Sequence, residues 1–426
     1  MALGPAAAVQ NIALAESSDI DLNVGYYSEI VKYVASIVVG FIFYPFYKWT
    51  GIRVTAVVAT LLVTGLFWTM IWIVNEYVIY FGAFLTGIGW GAMWIIWPMT
   101  IIDNSHASSA QKNMGIWLAC GSLGVFLGGL SNFLYFEKVT KISSTNRVMV
   151  YSICTAVTVL AAALGGISVS DIKKCSSGPG KKGDFTNIDN PGTKTKVAAA
   201  DWFKKMAKRP EFWLLFLPLI YWGFIWGFFI KMLPTAVASI SNQRNLIPLG
   251  TLALGASYLV GSLTWTYVTK FLNNTICIIL ASCLDLAAII LSVLIFPKGA
   301  ASEVLDVETI ETYIEPLPVY IVLISVFIGL ADSCISIIYF SIAGRIYGKD
   351  GTSLGFSINN VGFCVFYILS MFTPSLFDLH SYCYAMIGAV LVMCITLTVF
   401  FRRFMSGPEV PQRLESEEME NMRESE

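Results

Sequence analysis

This chain consists largely of continuous apolar runs separated by short polar segments, which restricts the folds that it can adopt. Each run has about twenty residues, which as an α-helix crosses the ~30 Å hydrocarbon core of a bilayer. Inside lipid every backbone N–H and C=O group needs a partner within the protein, so only helices or a closed barrel span it. A barrel strand would show about ten residues of alternating polarity. The continuous runs therefore predict an all-α integral membrane protein.

The composition supports this class, because 56% of the residues are hydrophobic, 13% are charged and the mean hydropathy is +0.69. A soluble domain carries about 25% charged residues, so the outer surface of this chain has to face lipid. The net charge is −1 and the Lys and Arg residues cluster in loops, which gives no reason to expect nucleic acid. The lipid bilayer is thus the first predicted partner. The composition does not distinguish the plasma membrane from an endomembrane.

Eleven runs are long enough to be complete transmembrane helices. They cover residues 26–47, 54–74, 77–102, 114–136, 148–169, 212–232, 248–268, 275–296, 317–340, 354–376 and 381–401. The polar segment between the fifth and sixth runs contains ten Lys or Arg residues with Ser, Gly and Pro, which is typical of a loop or a flexible linker. We therefore expect an N-terminal helical half at 1–169, a linker at 170–209, a C-terminal helical half at 210–403 and an acidic tail at 404–426.

The distribution of basic residues predicts the orientation. One side of the membrane carries twenty Lys and Arg residues and the other carries six, and the richer side is expected to be cytosolic. This assigns the linker and the C-terminus to the cytosol. Residues 1–15 are apolar but too short to cross the bilayer, and we interpret them as the outer end of a truncated first helix. With that helix the chain has two six-helix halves, which is the plan of the major facilitator superfamily.

Three motifs narrow the family. Residues 87–94 read Gly-Ile-Gly-Trp-Gly-Ala-Met-Trp, residues 103–105 read Asp-Asn-Ser, and residues 113–117 read Asn-Met-Gly-Ile-Trp. This combination resembles the Unc-ninety-three-like family, the ion channel regulatory protein branch of the major facilitator superfamily. Shorter segments at 9–11, 51–53 and 329–333 agree with the same family.

The chain also departs from the family pattern at polar positions. Residues 95–98 read Ile-Ile-Trp-Pro where the family motif reads Thr-Ala-Gln-Gly, and Ser122 and Gly129 stand where the family has a Gln and an Asn. A central cavity in this chain would have fewer groups to hold a polar solute. The resemblance implies a regulator or accessory partner of an ion channel subunit or of another membrane protein. The alternative is a transporter that moves a small solute by alternating access.

Two acidic residues lie inside predicted spans, where an ionisable group costs about 2.5–3.5 kcal/mol and usually faces the bundle interior. Asp285 is in the middle of the eighth run, and Asp332 lies in the ninth. Each is a candidate for lining a cavity or for coupling to a proton or cation, and the alternative is a buried hydrogen bond between helices. Ser333 belongs to the same candidate site. Ser333 and Ser336 are the expected hydrogen-bond partners of Asp332.

Four further polar residues lie inside the runs. Glu29 and Lys32 are three residues apart near the outer end of the first run, so they share a helix face. We expect them to form a structural ion pair, and a gate contact between the halves is the alternative. Asn359 and Asn360 in the tenth run are candidates for lining a cavity or for a hydrogen bond to another helix.

Three Trp residues of the third run form an aromatic stripe. Trp90, Trp94 and Trp97 are spaced by four and three residues, so they lie on one face of a helix. Trp94 is the candidate in this stripe for a wall that contacts a hydrophobic or cationic ligand. The alternative is contact with lipid or with neighbouring helices.

The remaining chemistry-bearing residues do not form recognisable sites. The chain has no Cys-x-x-Cys motif and only two His residues, His106 and His380, both in predicted loops. We therefore expect neither a metal site nor a cofactor. Because no nucleophile–base pair or Gly-rich phosphate loop is apparent, we do not expect an enzyme.

Overall fold

The computed structural model describes residues 24–72, 75–105, 109–136, 148–149, 151–164, 199–239, 246–301, 312–372 and 378–405. All regular elements in these ranges are helical. The helices are α1 (Val24–Leu62), α2 (Gly65–Trp72), α3 (Glu76–Asp103), α4 (Ala110–Phe136), α5 (Tyr151–Leu164), α6 (Ala199–Ala207), α7 (Pro210–Phe216), α8 (Pro218–Gly227), α9 (Leu233–Ser239), α10 (Ile247–Phe271), α11 (Asn274–Ile295), α12 (Pro318–Phe372) and α13 (Leu379–Phe400). A π-helical turn, Phe228–Met232, joins α8 to α9.

Within the described residues, nine helical stretches are long and apolar enough to cross a membrane. The first stretch, Tyr27–Trp72, covers most of both of the first two predicted spans, 26–47 and 54–74. Apolar α5 is shorter, and the predicted fifth span continues to 169, outside the described residues. The all-α integral membrane class is confirmed. Residues 1–15, which were interpreted as part of a first helix, also lie outside the described residues.

The junction of the first two predicted spans is a sharp kink at Gly51 within α1. Gly51 has φ 76° and ψ 165°, a conformation that favours glycine because it lacks a Cβ atom. A Cβ added there would meet no atom within 4 Å, so the backbone angle and not crowding selects glycine. The hydroxyl of Thr55 donates to the Gly51 carbonyl at 2.7 Å and supports the kink.

Helix α12 carries the ninth and tenth predicted spans without a break in helical structure. In a straight helix, Tyr347 and Asn359 would be about 18 Å apart along the axis. The Tyr347 hydroxyl nevertheless donates to Asn359 Oδ1 at 2.6 Å, and the Tyr347 and Phe356 ring centroids are 5.8 Å apart. The helix therefore bends strongly between Tyr347 and Asn359, which lets its two parts cross the membrane separately.

The end of the predicted linker differs from the expectation of a loop. Residues 199–207 form α6, in which Trp202 and Met206 lie on the face that packs against the bundle. The Trp202 ring lies 6.0 Å from the Tyr347 ring and closes over Gly351. Amphipathic spacing in a segment of mixed composition is the reason this short helix forms. The rest of the linker lies outside the described residues.

Close helix crossings join the N-terminal helices, α1–α5, to the C-terminal helices, α6–α13. Helices α4 and α10 approach so closely that a Cβ at Gly255 would be 2.6 Å from the Phe126 backbone nitrogen. A Cβ at Gly129 would be 2.8 Å from Leu252 Cα. Small residues permit such backbone contact in membranes. The second crossing pairs α1 with α12.

Candidate functional site

Two adjacent aromatic residues of α8 each hold one buried carboxyl group. The Tyr221 hydroxyl donates to Asp285 Oδ2 at 2.7 Å, and Trp222 Nε1 donates to Asp332 Oδ1 at 2.6 Å. Asp285 is 0% exposed and Asp332 is 2% exposed. Consecutive residues of a helix point about 100° apart, so one residue reaches α11 and the next reaches α12. The carboxyl pair thereby connects three helices through α8.

The prediction that Ser333 and Ser336 are hydrogen-bond partners of Asp332 is wrong. Ser333 Oγ donates to the Leu330 carbonyl of its own helix at 2.9 Å, and Ser336 Oγ lies 3.2 Å from the Tyr258 hydroxyl. Hydroxyls on a helix readily bond the carbonyl three or four residues before them, which removes Ser333 from the carboxyl group. The partner of Asp332 comes instead from α8, 110 positions away in sequence.

Asp285 differs from Asp332 in how its oxygens are satisfied. Its Oδ1 atom has no hydrogen-bond partner among the described residues, although its Oδ2 atom accepts from Tyr221. A buried polar atom without a partner costs free energy and is uncommon in folded proteins. The Asp285 carboxyl group is therefore only partly satisfied by hydrogen bonds within the described residues.

A small cavity lies beside Asp332. It has a volume of about 10 Å³, room for about one water molecule. The aromatic side chains around it are Trp226, Phe229 and Tyr258, and the remaining walls are Ile and Leu side chains. Asp332 is the acidic group in this lining. The arrangement combines one carboxyl group with three aromatic rings.

An aromatic cluster of Trp94, Trp117, Trp222 and Phe340 joins the N-terminal helices to the C-terminal helices. The Phe340 ring lies 6.0 Å from Trp94 and 5.6 Å from Trp222, near-parallel to both. Trp117 meets Trp94 edge-on at 5.7 Å and Phe340 at 6.2 Å. Trp94 therefore packs against other helices. Its neighbour Trp90 lies 5.6 Å from it on the same stripe.

Polar and aromatic contacts also join α1 to α12. Asn360 Nδ2 donates to the Ser36 carbonyl at 3.0 Å. Nearby, the rings of Tyr33 and Tyr367 have centroids 3.9 Å apart. Asn359 does not take part, because its side-chain oxygen accepts from Tyr347 within α12. The two neighbouring Asn candidates thus have different structural contacts, one between helix sets and one inside a bent helix.

Glu29 and Lys32 form an ion pair within α1, three residues apart. Both are buried, with 3% and 7% of their surfaces exposed. Lys32 Nζ also lies 4.9 Å from the centre of the Tyr33 ring. The positive charge is therefore compensated locally, by a carboxylate and by the face of an aromatic ring.

His380 is not in a loop as expected. It lies in the first turn of α13, is 5% exposed, and its Nε2 atom is 2.9 Å from the Phe296 carbonyl oxygen. The Asp378 cap starts this helix two residues earlier than the apolar run suggested. His106 lies outside the described residues. Within the described residues, no three His, Cys, Asp or Glu side chains are grouped to hold a metal.

Comparison with known proteins decides the family. The family described as "Ion channel regulatory protein UNC-93" matches residues 16–404. This chain belongs to the UNC-93 family. A curated relative, the UNC93-like protein MFSD11 of Xenopus tropicalis, is 22% identical over 289 residues. That match covers 64% of this chain and 64% of the relative, so it spans less than two thirds of the relative's length.

The fold of this UNC-93 family member is that of the major facilitator superfamily, as predicted. It is similar to the fucose:proton symporter FucP of E. coli, with a TM-score of 0.60, 13% identity and coverage of 94% of this chain and 96% of that one. The proton:xylose symporter XylE gives a TM-score of 0.62 at 13% identity, covering 94% of this chain and 91% of that one. At this identity the likeness establishes the fold alone.

Two of the departures from the family pattern have structural explanations in this UNC-93 family member. Ser122 Oγ donates to the Leu118 carbonyl of its own helix at 2.6 Å. Gly129 packs against the backbone of α10. Neither position presents a polar group to a cavity, in agreement with the reduced polarity that the sequence indicates.

Four residues that complete the site were not predicted from the sequence. Tyr221, Trp222 and Tyr258 hold the polar contacts of α8 and α10, and Ser36 accepts from Asn360. Tyr and Trp in the middle of an apolar run were the available signal, because their polar atoms usually find a partner when buried. The residue that each of these polar atoms contacts cannot be predicted from its neighbours in the sequence.

Proposed function

We propose that this chain is a regulator, an accessory membrane partner of an ion channel or of another membrane protein. The observation that carries the proposal is the filled contact between the N-terminal and C-terminal helices. Rings of Trp94 and Trp117 pack on Phe340, while glycine-mediated crossings bring α4 against α10. Tight packing of this kind supplies a stable surface for a partner. The description of the UNC-93 family as ion channel regulatory proteins favours the same function.

The proposal includes the organisation read from the sequence. Residues 1–169 and 210–403 are the two helical halves, residues 170–209 are a basic linker, and residues 404–426 are an acidic tail. Both charged segments are then on the cytosolic side, where they are available to a partner. Insertion of glycosylation sites into single loops tests this orientation. Modification at the linker would contradict it.

A reversible lock between the helix sets tests the regulator. A Cβ at Gly40 of α1 would be 3.7 Å from Val361 Cβ of α12, within the usual range of about 3.5–4.5 Å for a disulfide. The double variant Gly40→Cys/Val361→Cys should therefore cross-link the two sets. A regulator needs only the locked surface. The current or surface level of its partner channel, identified by pull-down from native membranes, should therefore be unchanged in the locked variant.

The lock has two controls within the same chain. The single variant Val361→Cys keeps the native cysteine background, and reduction of the double variant restores the unlocked protein. If locking abolishes the partner's signal and reduction restores it, movement of the helix sets is essential and the regulator proposal fails. Saturable solute uptake into vesicles that the lock stops would replace it with transport.

Transport of a small solute by alternating access is the second candidate. The observation that favours it is the buried pair Asp285 and Asp332, because ionisable groups inside a membrane are expensive and commonly mark ion or substrate pathways. The structural relatives FucP and XylE are named as proton symporters. Neither candidate is an enzymatic activity.

A further inference from the structure

We propose that the cavity beside Asp332 is a binding site for an organic cation, an ammonium group attached to an aromatic or aliphatic body. The site is formed by Asp332, Trp226, Tyr258 and Phe229. The proposal does not rest on the regulator, because a ligand site serves a regulated partner as well as a transporter.

The carboxyl group of Asp332 has no basic partner in the described part of the chain. The groups that face Asp332 are Trp222 of α8, Tyr258 of α10 and, farther away, Asp285 of α11. None of these groups in the described part of the chain is basic. An ionised carboxylate at this depth needs a proton or another cation to compensate its charge. A ligand that brings a positive charge meets this need.

The side chains that line the cavity around Asp332 are aromatic or aliphatic. Three aromatic rings surround the cavity, and the face of a Trp or Tyr ring attracts ammonium groups. The other walls are the side chains of Ile225, Leu254 and Ile328, which suit an apolar body. An inorganic cation such as Ca²⁺ would require about six to eight oxygen ligands. One carboxyl group among rings instead fits a singly charged organic cation.

Trp226 also contacts residues outside the cavity. Its ring packs against one cluster that contains Tyr33 and Tyr367 and against another that contains Leu118 and Tyr258. Trp226 therefore lies where the N-terminal and C-terminal helices meet. Because the cavity holds only about one water molecule in this structure, a larger ligand enters when the helix sets separate at Trp226.

The site also links binding to protons. A protonated Asp332 carries no charge to attract an ammonium group, so a bound cation and a proton exclude each other. Affinity should then fall as the pH is lowered, by at most about tenfold per pH unit for one proton. Asp285, Tyr221 and Tyr258 are the other titratable groups near Asp332.

Calorimetric titration of the full chain in lipid nanodiscs tests the proposal. The probes are phenethylammonium, its trimethyl derivative, and phenethyl alcohol as a neutral molecule with the same ring. Both cations should bind saturably, and the alcohol should bind at least about tenfold more weakly. The variant Asp332→Asn should lose at least about tenfold in affinity for the cations, and Asp332→Glu should retain part of it.

A second pair of variants keeps the test valid if Asp332→Asn does not fold. Trp226→Leu should weaken cation binding by about threefold to thirtyfold. Trp265→Leu is the matched control, since Trp265 is also half-buried but does not line this cavity, and it should bind as the unaltered chain does.

Equal binding of the alcohol, unchanged binding in Asp332→Asn, or no saturable binding at millimolar probe would each overturn the site. Loss in Asp285→Asn alone, with full binding in Asp332→Asn, would assign the cation to the other carboxyl group.

Discussion

The N-terminal and C-terminal helices bury their charged groups in opposite ways. In α1, Glu29 and Lys32 neutralise each other within one helical turn. In the C-terminal helices, Asp285 and Asp332 lie in different helices and accept hydrogen bonds from Tyr221 and Trp222 instead of from a basic residue. The first arrangement is electrostatically complete. In the second, no basic residue in the described part of the chain hydrogen-bonds the two carboxyl groups, and the proposed cation site is based on this difference.

The largest expected effect comes from breaking the complete pair. Lys32→Met leaves Glu29 buried without its cation, and removal of one partner from a buried ion pair costs about 3–5 kcal/mol. The apparent Tm of the purified chain in detergent should therefore fall sharply. In the double variant Glu29→Gln/Lys32→Met most of this loss should disappear. If the single variant is as stable as the unaltered chain, Glu29 and Lys32 do not depend on each other for charge compensation. The difference between the N-terminal and C-terminal helices would then be contradicted.

Removal of an acid from the C-terminal helices should cost less, because no opposite charge is abandoned. Asp332→Leu leaves Trp222 Nε1 without an acceptor, at about 1–3 kcal/mol. Asp332→Asn keeps an acceptor oxygen and should be nearly neutral for stability. Thermal unfolding of both variants measures the difference. A loss in Asp332→Asn as large as that in Asp332→Leu would mean that the negative charge itself stabilises the fold.

Asp378 provides a reference carboxylate outside the spans. The Ser381 backbone N–H donates to its side chain at 2.7 Å, and this bond holds the Asp378 pKa below its usual value. A lowered folded-state pKa contributes stability above the unfolded value, about 3.9, and that stability is lost as pH falls through the folded value. Asp378→Ala should cost about 0.5–2 kcal/mol at neutral pH. The difference between variant and unaltered chain should shrink in acid, and a constant difference would contradict the cap.

The smallest effect should come from the hydrogen bond that joins α1 to α12. Asn360→Ala removes the donor to the Ser36 carbonyl, and such bonds between membrane helices average about 0.6 kcal/mol. The more informative measurement is the rate of disulfide formation in Gly40→Cys/Val361→Cys, which should fall if the bond holds the crossing together. The matched variant Asn359→Ala should not alter that rate, because Asn359 bonds within α12. Equal rates of disulfide formation in both variants would mean that the Asn360 hydrogen bond does not stabilise the crossing of α1 and α12.

Much of the fold was predictable from particular residues. The apolar runs predicted the helices, and the gap between the first two runs, residues 48–53, contains the kink of α1 at Gly51. The prediction of helix boundaries failed where a helix extends beyond the apolar run or forms outside one. His380 was assigned to a loop, yet Asp378 caps the helix before it and buries the ring. Residues 199–207 were assigned to the linker, yet spacing of Trp202 and Met206 makes them a helix.

By itself the sequence determined the helical class, the family and the Glu29–Lys32 pair, because each depends on neighbouring residues. Backbone hydrogen bonds of a membrane helix close within the segment, and residues three apart share a face. The contacts of Asp332 with Trp222 and of Asn360 with Ser36, which is 324 positions away, could be assigned only from the folded bundle. Those contacts depend on how each helix is rotated and where it crosses its neighbours. Packing over the whole bundle sets both quantities, so no local pattern contains them.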